Sequence, residues 1–345
     1  MGVDLKDLLS RKPLELEELK GKVIAIDGFN ALYQFLSIIR GADGQPLKDR
    51  SGRITGHLSG LLYRNSNLLE MGVKPVYVFD GMPPSLKEVE ISRRRAVKEE
   101  AVKKYEEAIK RGDVERARTY AQATAHLKDE MVQEAKTLLA LMGIPWVQAP
   151  SEGEAQAAHL TVKGDAWAVG SQDYDSLLFG ATRLVRNLTI SGKRKLPNKP
   201  VYVKISPELI ELKESLAKLG ITRTQLIDMS VLMGTDFNPD GLKGVGPKTA
   251  IKMIKERGCL ENMIHELRDS GFTVDPLEIR GIFTSPKVTD DYQLRWKGVD
   301  VEGVVHFLCH ERDFNEERVK RALDKTMGEV EKVLKPPTLD AFLRS

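Results

Sequence analysis

Seven acidic residues stand out because they lie close to glycine, serine or threonine where one structural element gives way to the next. They are Asp27, Asp80, Glu152, Glu154, Asp173, Asp175 and Asp236. So many carboxylates repel one another unless cations are bound, and oxygen-only ligands suit Mg²⁺ or Mn²⁺ rather than zinc. Two divalent ions about 4 Å apart stabilise the attacking and leaving oxygens of a phosphodiester displacement. The set therefore predicts a two-metal phosphodiesterase.

Each acid also has a structural explanation. Asp27 and Asp80 suit turns that follow strands, and residues 151–154 match a capping box in which Ser151 caps a helix and Glu154 caps back. The metal-site interpretation is favoured because four strand-end or helix-start sites carry the same chemistry. The six histidines are scattered and none pairs at ligand spacing, which argues against a histidine-based metal site.

A second motif, the segment GVGPK, separates two helix-like segments within residues 224–257. Gly244 and Gly246 let the backbone approach a phosphate closely, and the start of the next helix offers N–H groups and a positive dipole. Lys243 and Lys248 add charge without base specificity. The motif is typical of a helix-hairpin-helix that grips a DNA backbone, and a simple tight turn is the alternative.

Three short apolar runs position the acids. Residues 22–26 and 75–79 are followed directly by Asp27 and Asp80, and residues 166–170 are followed after two residues by Asp173 and then by Asp175. Runs of this kind are typical of buried parallel strands. Helix-like stretches separate them, at residues 30–39, 58–71 and 129–142. The alternation predicts an α/β fold, and ligands of such sheets gather beyond the carboxyl ends of the strands, where the acids fall.

Two segments are distinctly basic. Residues 85–128 hold twelve Lys or Arg against eight Asp or Glu and almost no glycine, which predicts a helical insertion; a solvated helical hairpin without function is the alternative. Residues 183–204 hold seven basic residues and no acid, and a hairpin is expected around Ser191 and Gly192. That hairpin either contacts nucleic acid or is exposed, with lysines protecting its edge strands.

Composition excludes several classes of protein. The 345 residues are 41% hydrophobic, which is enough for a large core and rules out global disorder and a collagenous chain. Cys259 and Cys309 cannot form a disulfide framework or a four-thiolate zinc site, so a reducing compartment such as the cytoplasm is expected. No apolar run approaches the roughly 20 residues of a membrane helix. The net charge of +3 argues for no partner by itself.

The motifs together resemble the flap endonucleases of the XPG-type structure-specific nucleases, in their archaeal form. The matching segments are IDGFNALYQFL, VYVFDGMPPSLK, APSEGEAQAA, GSQDYDSLLFG and LMGTDFNPDGLKGVGPKTA, and they occur in the family's order and spacing. The resemblance implies cleavage of 5′ flaps at the junction with duplex DNA, 5′–3′ exonuclease activity, and roles in Okazaki fragment maturation and base excision repair. It places the protein in the cytoplasm near the nucleoid, or in the nucleus of a eukaryote, as a monomer.

The resemblance also implies a role for each site residue. The ligands of a first Mg²⁺ correspond to Asp27, Asp80, Glu152 and Glu154. Those of a second correspond to Asp173, Asp175 and Asp236, with Glu154 helping to bridge and Mn²⁺ able to substitute. Lys87 and Arg94 occupy the basic catalytic positions, and Tyr33 matches a residue that stacks on a base. The remaining DNA contacts correspond to Gly2, Arg40, Arg64, Gly234, Lys243, Gly244, Gly246 and Lys248, together with Glu152 and Asp236.

The family's architecture implies a PIN-like nuclease core, a helical arch and a clamp-binding tail. The expected regions are an N-terminal nuclease region at 1–98, an arch at 82–130, an internal nuclease region at 116–259, a helical region at 260–334 and a tail at 335–345. The arch admits the 5′ end of the flap, and the helix-hairpin-helix at 224–257 grips the duplex, with a bound K⁺.

The tail resembles a motif that binds a sliding clamp of the proliferating cell nuclear antigen type. Thr338, Leu339 and Phe342 fit that motif. Pro336 replaces the expected glutamine and Leu343 the second aromatic residue, so weakened clamp binding is expected.

Other functions remain compatible with parts of this pattern. A Holliday-junction resolvase or a 5′ exonuclease of the same superfamily shares the acids, although the arch argues against a resolvase because a free 5′ end must enter it. The GVGPK turn argues against a ribonuclease of the related toxin-type fold, because the turn favours binding of duplex DNA. A non-catalytic clamp-associated DNA-binding protein would avoid seven acids near phosphate.

Overall fold

A computed structural model of the protein describes most of the chain. The described residues are 3–41, 44–113, 116, 120, 126–189, 192–195, 202–269, 272 and 274–334. The predicted contacts of Gly2 and of the tail at residues 335–345, including Thr338, Leu339, Phe342 and Leu343, lie outside these residues.

A seven-stranded, mostly parallel sheet forms the centre of the described structure. The described part of the chain forms nine strands, of which β7 and β8 make a separate two-stranded sheet. They are β1 (Lys12–Pro13), β2 (Val23–Asp27), β3 (Lys74–Phe79), β4 (Trp146–Gln148), β5 (Ala168–Gly170), β6 (Arg183–Arg186), β7 (Gly192–Lys195), β8 (Tyr202–Ile205) and β9 (Glu208–Glu211). The order in the large sheet is β1-β9-β6-β5-β2-β3-β4. Neighbours from β6 to β4 run parallel, whereas β9 pairs antiparallel with both β6 and β1. The predicted α/β fold with a mostly parallel sheet is confirmed.

Helices connect the strands and cover the sheet. They are α1 (Gly28–Ile38), α2 (Gly56–Glu70), α3 (Glu88–Lys110), α4 (Asp129–Leu141), α5 (Gly153–Lys163), α6 (Asp175–Leu178), α7 (Leu212–Leu219), α8 (Arg223–Met233), α9 (Pro247–Arg257), α10 (Ile264–Asp269), α11 (Pro276–Thr284), α12 (Val301–Val305) and α13 (Glu316–Leu334). Shorter 3₁₀ or π turns lie at Leu16–Leu19, Ser85–Lys87, Leu260–Met263 and His306–His310. The predicted helical insertion corresponds in its described part to α3.

Helices pack on both faces because successive strand residues point to opposite sides of the sheet. Ala25 and Val76 belong to a core shared with helices α5, α8, α9 and α11. Ile24 and Tyr77, one position away in the sequence, belong to a second core shared with α1, α2, α4 and α13. Both faces are therefore buried, which explains why these strands are continuously apolar.

The hairpin expected in residues 183–204 forms, but its turn was predicted in the wrong place. Gly192 is the first residue of β7, and β7 pairs antiparallel with β8. Strand β6 instead joins the large sheet between β5 and β9. A Ser-Gly pair is a local signal for a turn, whereas the apolar centre of β6, Leu184 and Val185, is fully buried in the sheet.

The C-terminal part of the chain is less helical than predicted, because residues 286–300 contain no regular element. Their polar groups bond to the N-terminal part of the fold instead. Gln156 exchanges two hydrogen bonds with the backbone of Thr289, at 2.8 and 2.9 Å, and Trp296 Nε1 donates to the carbonyl of Pro75 at 2.9 Å. These hydrogen bonds hold residues 286–300 against α5 and β3.

A buried ion pair between α8 and α11 leads to the first prediction. Asp228 is fully buried, and Arg280 donates to its two carboxylate oxygens at 2.6 and 2.8 Å. Arg280→Ala should lower the free energy of unfolding by about 3–5 kcal/mol, because it leaves a buried carboxylate unpaired. Arg321→Ala is the control: its partner Glu317 is exposed, and removing a surface pair costs less than about 1 kcal/mol. Equal denaturation curves for the two variants would contradict the assignment.

No helix in the described part of the chain is both long enough and apolar enough to cross a membrane.

Candidate active site

Adjacent parallel strands bring the predicted acids to one edge of the sheet. Asp27 is the last residue of β2 and also caps α1, since its Oδ1 accepts the backbone N–H of Asn30 at 3.0 Å. Asp80 follows β3, and Asp173 follows β5 after a short loop. Strands β3, β2 and β5 are neighbours in the sheet, so their carboxyl ends lie side by side.

Asp80 reaches the start of α5, where two further acids lie. Its Oδ1 accepts the backbone N–H of Gly153 at 2.7 Å. A Cβ on Gly153 would lie only 2.5 Å from that oxygen, so a side chain there would displace the carboxylate. The capping box, which was the structural alternative for residues 151–154, does not form: Glu152 is the N-cap without a side-chain cap bond, and the Ser151 hydroxyl donates to the carbonyl of Met82 at 3.0 Å. The carboxylate of Asp80, directly after β3, accepts the Gly153 N–H instead.

The remaining acids are held by hydrogen bonds from separate parts of the chain. Asp175 Oδ1 accepts the backbone N–H of Val3 at 2.9 Å, so the N-terminal segment reaches the site. Glu154 Oε1 accepts from Ser171 Oγ at 3.4 Å. Asp173 Oδ2 accepts from the side-chain amide of Asn30 at 2.9 Å. The site is therefore assembled from β2, β5, α5 and the N-terminus.

Burial and mutual repulsion raise the pKa values of several of these carboxyls. Burial and then Asp80 raise the pKa of Asp27 to about 8. Burial followed by Glu152 raises the pKa of Asp80 to about 6, and burial followed by Asp236 raises that of Asp175 to about 7. The pKa of Glu154 lies well above its ordinary value because of burial and then Asp175. The acids therefore form one electrostatically coupled cluster.

Two basic side chains from the foot of α3 enter this cluster. Lys87 Nζ contacts Glu152 and lies 3.6 Å from Asp236 Oδ2. Arg94 donates from Nη2 to Asp236 Oδ1 at 2.5 Å and from Nε to Glu90 Oε1 at 2.7 Å. Burial lowers the pKa of Lys87, but Glu152 and Asp236 outweigh it and hold this pKa above its ordinary value. Lys87 therefore carries a proton and a positive charge at the site.

The donor set fits divalent cations. The seven acids outnumber the two basic side chains of the cluster, and Lys87 and Arg94 contact only Glu152 and Asp236 among them. Oxygen donors of this kind suit Mg²⁺ or Mn²⁺, whose charge would relieve the repulsion that raises the pKa values. Within the residues that the structure describes, no three acids, histidines or cysteines converge at ligand distances, and Glu152 and Asp236 instead contact Lys87 and Arg94.

Tyr33 lies on α1 and contacts α3. Lys98 Nζ donates to the Tyr33 hydroxyl at 2.8 Å and lies 4.5 Å from the centre of its ring. The tyrosine therefore joins α3 to α1, the helix that Asp27 caps.

The other predicted DNA contacts lie on several elements of the chain. Arg40 is half-buried and donates to the carbonyls of Ser37 and Gly44, both at 3.2 Å. Arg64 is half-buried on α2. Gly234 ends α8, two residues before Asp236.

The predicted helix-hairpin-helix is confirmed as two helices, α8 and α9, joined by an irregular connection. Gly244 has φ +81°, a left-handed conformation that favours glycine. Gly246 is the N-cap of α9 and has no side chain to cap the helix, and Pro247 occupies the first helical turn as expected. Lys243 and Lys248 are exposed on this turn. The turn therefore presents a helix N-terminus flanked by positive charge.

Two contacts at the site were missed by the sequence analysis. The backbone of Val3 has no residue-type signal. Asn30 lies inside the segment IDGFNALYQFL, three residues after Asp27, and a polar side chain in the first turn of an otherwise apolar helix is a usable signal.

Comparison with known proteins agrees with this geometry. Residues 1–101 match the XPG N-terminal domain and residues 143–236 match the XPG I-region. The chain is 56% identical over 329 residues to flap endonuclease 1 of Staphylothermus marinus, with 94% of each chain covered. It is 54% identical to flap endonuclease 1 of Pyrococcus abyssi, covering 99% of this chain and 98% of that one.

A solved structure gives the same result. Flap endonuclease-1 from Methanococcus jannaschii superposes with a TM-score of 0.76 at 46% identity, covering 96% of this chain and 99% of that chain. The acids at neighbouring strand ends, the basic foot of α3 and the helix-hairpin-helix thus occur in a chain that matches these relatives along nearly its whole length, and the protein belongs to the flap endonuclease 1 family of XPG-type nucleases.

Proposed function

We propose that this structure-specific flap endonuclease, which acts in DNA replication and repair, hydrolyses one phosphodiester where a 5′ single-stranded flap meets duplex DNA. Two Mg²⁺ ions are the cofactors, and the products carry a 5′ phosphate and a 3′ hydroxyl. The observation that carries the proposal is the cluster of buried carboxylates with raised pKa values, built on adjacent strand ends and contacted by Lys87 and Arg94.

The acids divide into two groups that would hold the ions. Asp27, Asp80, Glu152 and Glu154 form the first group, and Asp173, Asp175 and Asp236 the second. When bound, the two ions supply electrostatic stabilisation to the attacking and leaving oxygens. Lys87 and Arg94 supply fixed positive charge to the scissile phosphate from α3. Their present partners, Glu152 and Asp236, keep both side chains at the place where that phosphate would lie.

Recognition of the junction would use two separate surfaces. The foot of α3 places Lys87 and Arg94 at the acids. The insertion at residues 85–128, to which α3 belongs, would admit the single strand by its excess of positive charge. Tyr33, held against α3 by Lys98, would stack on a base next to the scissile bond. The α8–α9 turn would bind duplex phosphates through backbone N–H groups, Lys243 and Lys248, with a K⁺ ion at the turn. Shape rather than sequence would determine specificity.

The C-terminal tail would bind a sliding clamp. Leu339 and Phe342 supply the apolar anchors of the motif. Pro336 and Leu343 depart from it, so the affinity should be lower than that of a complete motif.

Cleavage of an end-labelled double-flap DNA tests the proposal directly. The assay compares Mg²⁺ with EDTA, and the double flap with a nicked duplex and a four-way junction. Release of the intact flap by one cut near the junction, in Mg²⁺ only, is the expected result. Symmetric cutting of the four-way junction in preference to the flap would replace the proposal by a junction resolvase, and binding without any cut would refute the catalytic role of the acids.

A second prediction concerns the basic turn between α8 and α9. The double variant Lys243→Ala/Lys248→Ala should weaken binding to all duplex sequences alike. Each phosphate contact contributes about 0.9 to the magnitude of the slope of log affinity against log salt concentration. Loss of both lysines should therefore reduce that magnitude by about 1.8. Lys218→Ala, an exposed lysine on α7, is the matched control and should leave the slope unchanged. Fluorescence anisotropy over a salt series measures it, and an unaltered slope in the double variant would refute the contact.

A further inference from the structure

Asn30 contacts one acid from each of the two proposed groups. Its backbone N–H donates to Asp27 Oδ1 at 3.0 Å, and its side-chain Nδ2 donates to Asp173 Oδ2 at 2.9 Å. These acids are 146 positions apart in the numbering. Asp27 ends β2, and Asp173 follows the neighbouring strand β5. A single residue in the first turn of α1 therefore links the two halves of the site.

The orientation of the Asn30 amide is determined by a chain of hydrogen bonds. The side-chain Nδ2 of Asn30 donates to Asp173 Oδ2, so the NH₂ group of the amide faces this carboxyl group. The Asn30 Oδ1 must then accept, and it does so from Gln34 Nε2 at 2.6 Å. Gln34 Oε1 in turn accepts from the hydroxyl of Thr189 at 2.6 Å. Each donor in this series of hydrogen bonds meets an acceptor, so all three bonds point in the same direction, from Thr189 to Asp173.

A backbone contact strengthens this arrangement. The N–H of Gln172, directly before Asp173, lies 3.4 Å from Asn30 Oδ1. Asn30 therefore contacts both the Asp173 carboxylate and the loop that carries it, which restricts how far the carboxylate can turn.

We propose that Asn30 is a positioning residue that orients the Asp173 carboxylate and holds it at a defined distance from Asp27. The amide occupies one oxygen of Asp173 and leaves the other to a divalent ion. Because the amide is neutral, it donates to Asp173 without adding positive charge that would oppose cation binding, as a lysine at this position would. This inference rests on the proposed two-ion site.

The test uses Asn30→Leu, Asn30→Ser and, as a control, Thr137→Val. Leucine keeps most of the volume and removes the donor, whereas serine keeps a small polar group too short to replace the amide. Thr137 is exposed on α4 and donates to the carbonyl of Gln133, so Thr137→Val removes a hydrogen bond that does not belong to the series from Thr189 to Asp173. Mn²⁺ binding to each full-length variant is measured by calorimetry without DNA, and the melting temperature is recorded in parallel.

Both Asn30 variants should bind Mn²⁺ about 10-fold more weakly at one class of site, which is the lower end of the usual loss when a partner of a metal ligand is removed. The Mg²⁺ concentration for half-maximal cleavage should rise in parallel, while the KM of the Asn30 variants for flap DNA should stay at the wild-type value. The Thr137→Val control should match the wild type in both quantities. A merely structural role would lower the melting temperature without changing Mn²⁺ affinity.

The outcomes separate this inference from the proposed function. A wild-type protein that binds no Mn²⁺ would refute the two-ion site itself. Wild-type binding that is unchanged in Asn30→Leu would refute only the role of Asn30. If Asn30→Leu does not fold, Asn30→Ser decides: weakened binding supports the inference and unchanged binding overturns it.

Discussion

Replacing Asp173 by alanine is expected to lower cleavage of 5′-flap DNA by at least about 1,000-fold, since a two-ion site contributes several kcal/mol to the transition state and each 1.36 kcal/mol is tenfold in rate. Asp173 follows β5, where it contacts Asn30 and adds to the repulsion on Asp175 and Glu154. The loss should therefore fall on the chemical step. Single-turnover cleavage at saturating Mg²⁺ measures it.

DNA binding separates this effect from misfolding. The Asp173→Ala variant should bind flap DNA nearly as tightly as the wild type, because the α8–α9 turn and α3 are unchanged and a negative charge near the phosphates is lost. Asp290→Ala is the matched control, since Asp290 is an exposed aspartate that pairs with His159 and Lys163; it should cleave at the wild-type rate. Cleavage by Asp173→Ala at the wild-type rate and at saturating Mg²⁺ would contradict the assignment of Asp173 to the ion site.

Lys87→Ala is expected to lower the turnover number by about 100- to 1,000-fold with little change in affinity for the flap, the usual cost of losing one group that stabilises developing charge. Lys87 is the last residue of the turn before α3, and its ammonium lies between Glu152 and Asp236. Its pKa lies above the ordinary value because of these acids, so the charge is present throughout the neutral range. Pre-steady-state kinetics measure the chemical step separately from product release.

A second lysine of the same helix is the control for Lys87. Lys103 lies on α3 and is exposed, so Lys103→Ala removes the same charge from the helix at a distance from the acids. It should leave the chemical step unchanged. A variant Lys87→Ala that weakened DNA binding and retained the wild-type single-turnover rate would show that Lys87 binds substrate and does not act in catalysis.

Much of the fold was predictable because its signals are local. Continuous apolar runs followed directly by acids indicated buried parallel strands and placed Asp27 and Asp80 at the strand ends, and the structure confirms both. Pro247 at the start of α9 was also predictable, since proline lacks the N–H that the first helical turn leaves unpaired. Such features depend on a few neighbouring residues, which the chain carries wherever it folds.

Local signals failed where a distant group competed for the same atoms. The capping box at residues 151–154 does not form: α5 begins at Gly153 with Glu152 as its N-cap, and Asp80 accepts the Gly153 N–H. Strands β6 and β7 do not pair as a hairpin around Ser191 and Gly192, since the buried centre of β6 pairs with β5 and β9 and β7 pairs with β8. In both cases a contact made by tertiary packing outweighs a preference worth at most about 1–2 kcal/mol.

The sequence by itself determined which functional groups the site contains. The acids, the basic insertion and the GVGPK turn are recognisable from residue type and spacing, because carboxyl groups, lysines and glycines are present whatever the fold. Only the tertiary structure decided that Lys87 and Arg94 contact Glu152 and Asp236, and that Asn30 joins β2 to β5. The contacts Lys87–Glu152, Arg94–Asp236 and Asn30–Asp173 join residues that are 65, 142 and 143 positions apart along the chain. The order of the strands in the sheet brings them together, and no short stretch of sequence encodes that order.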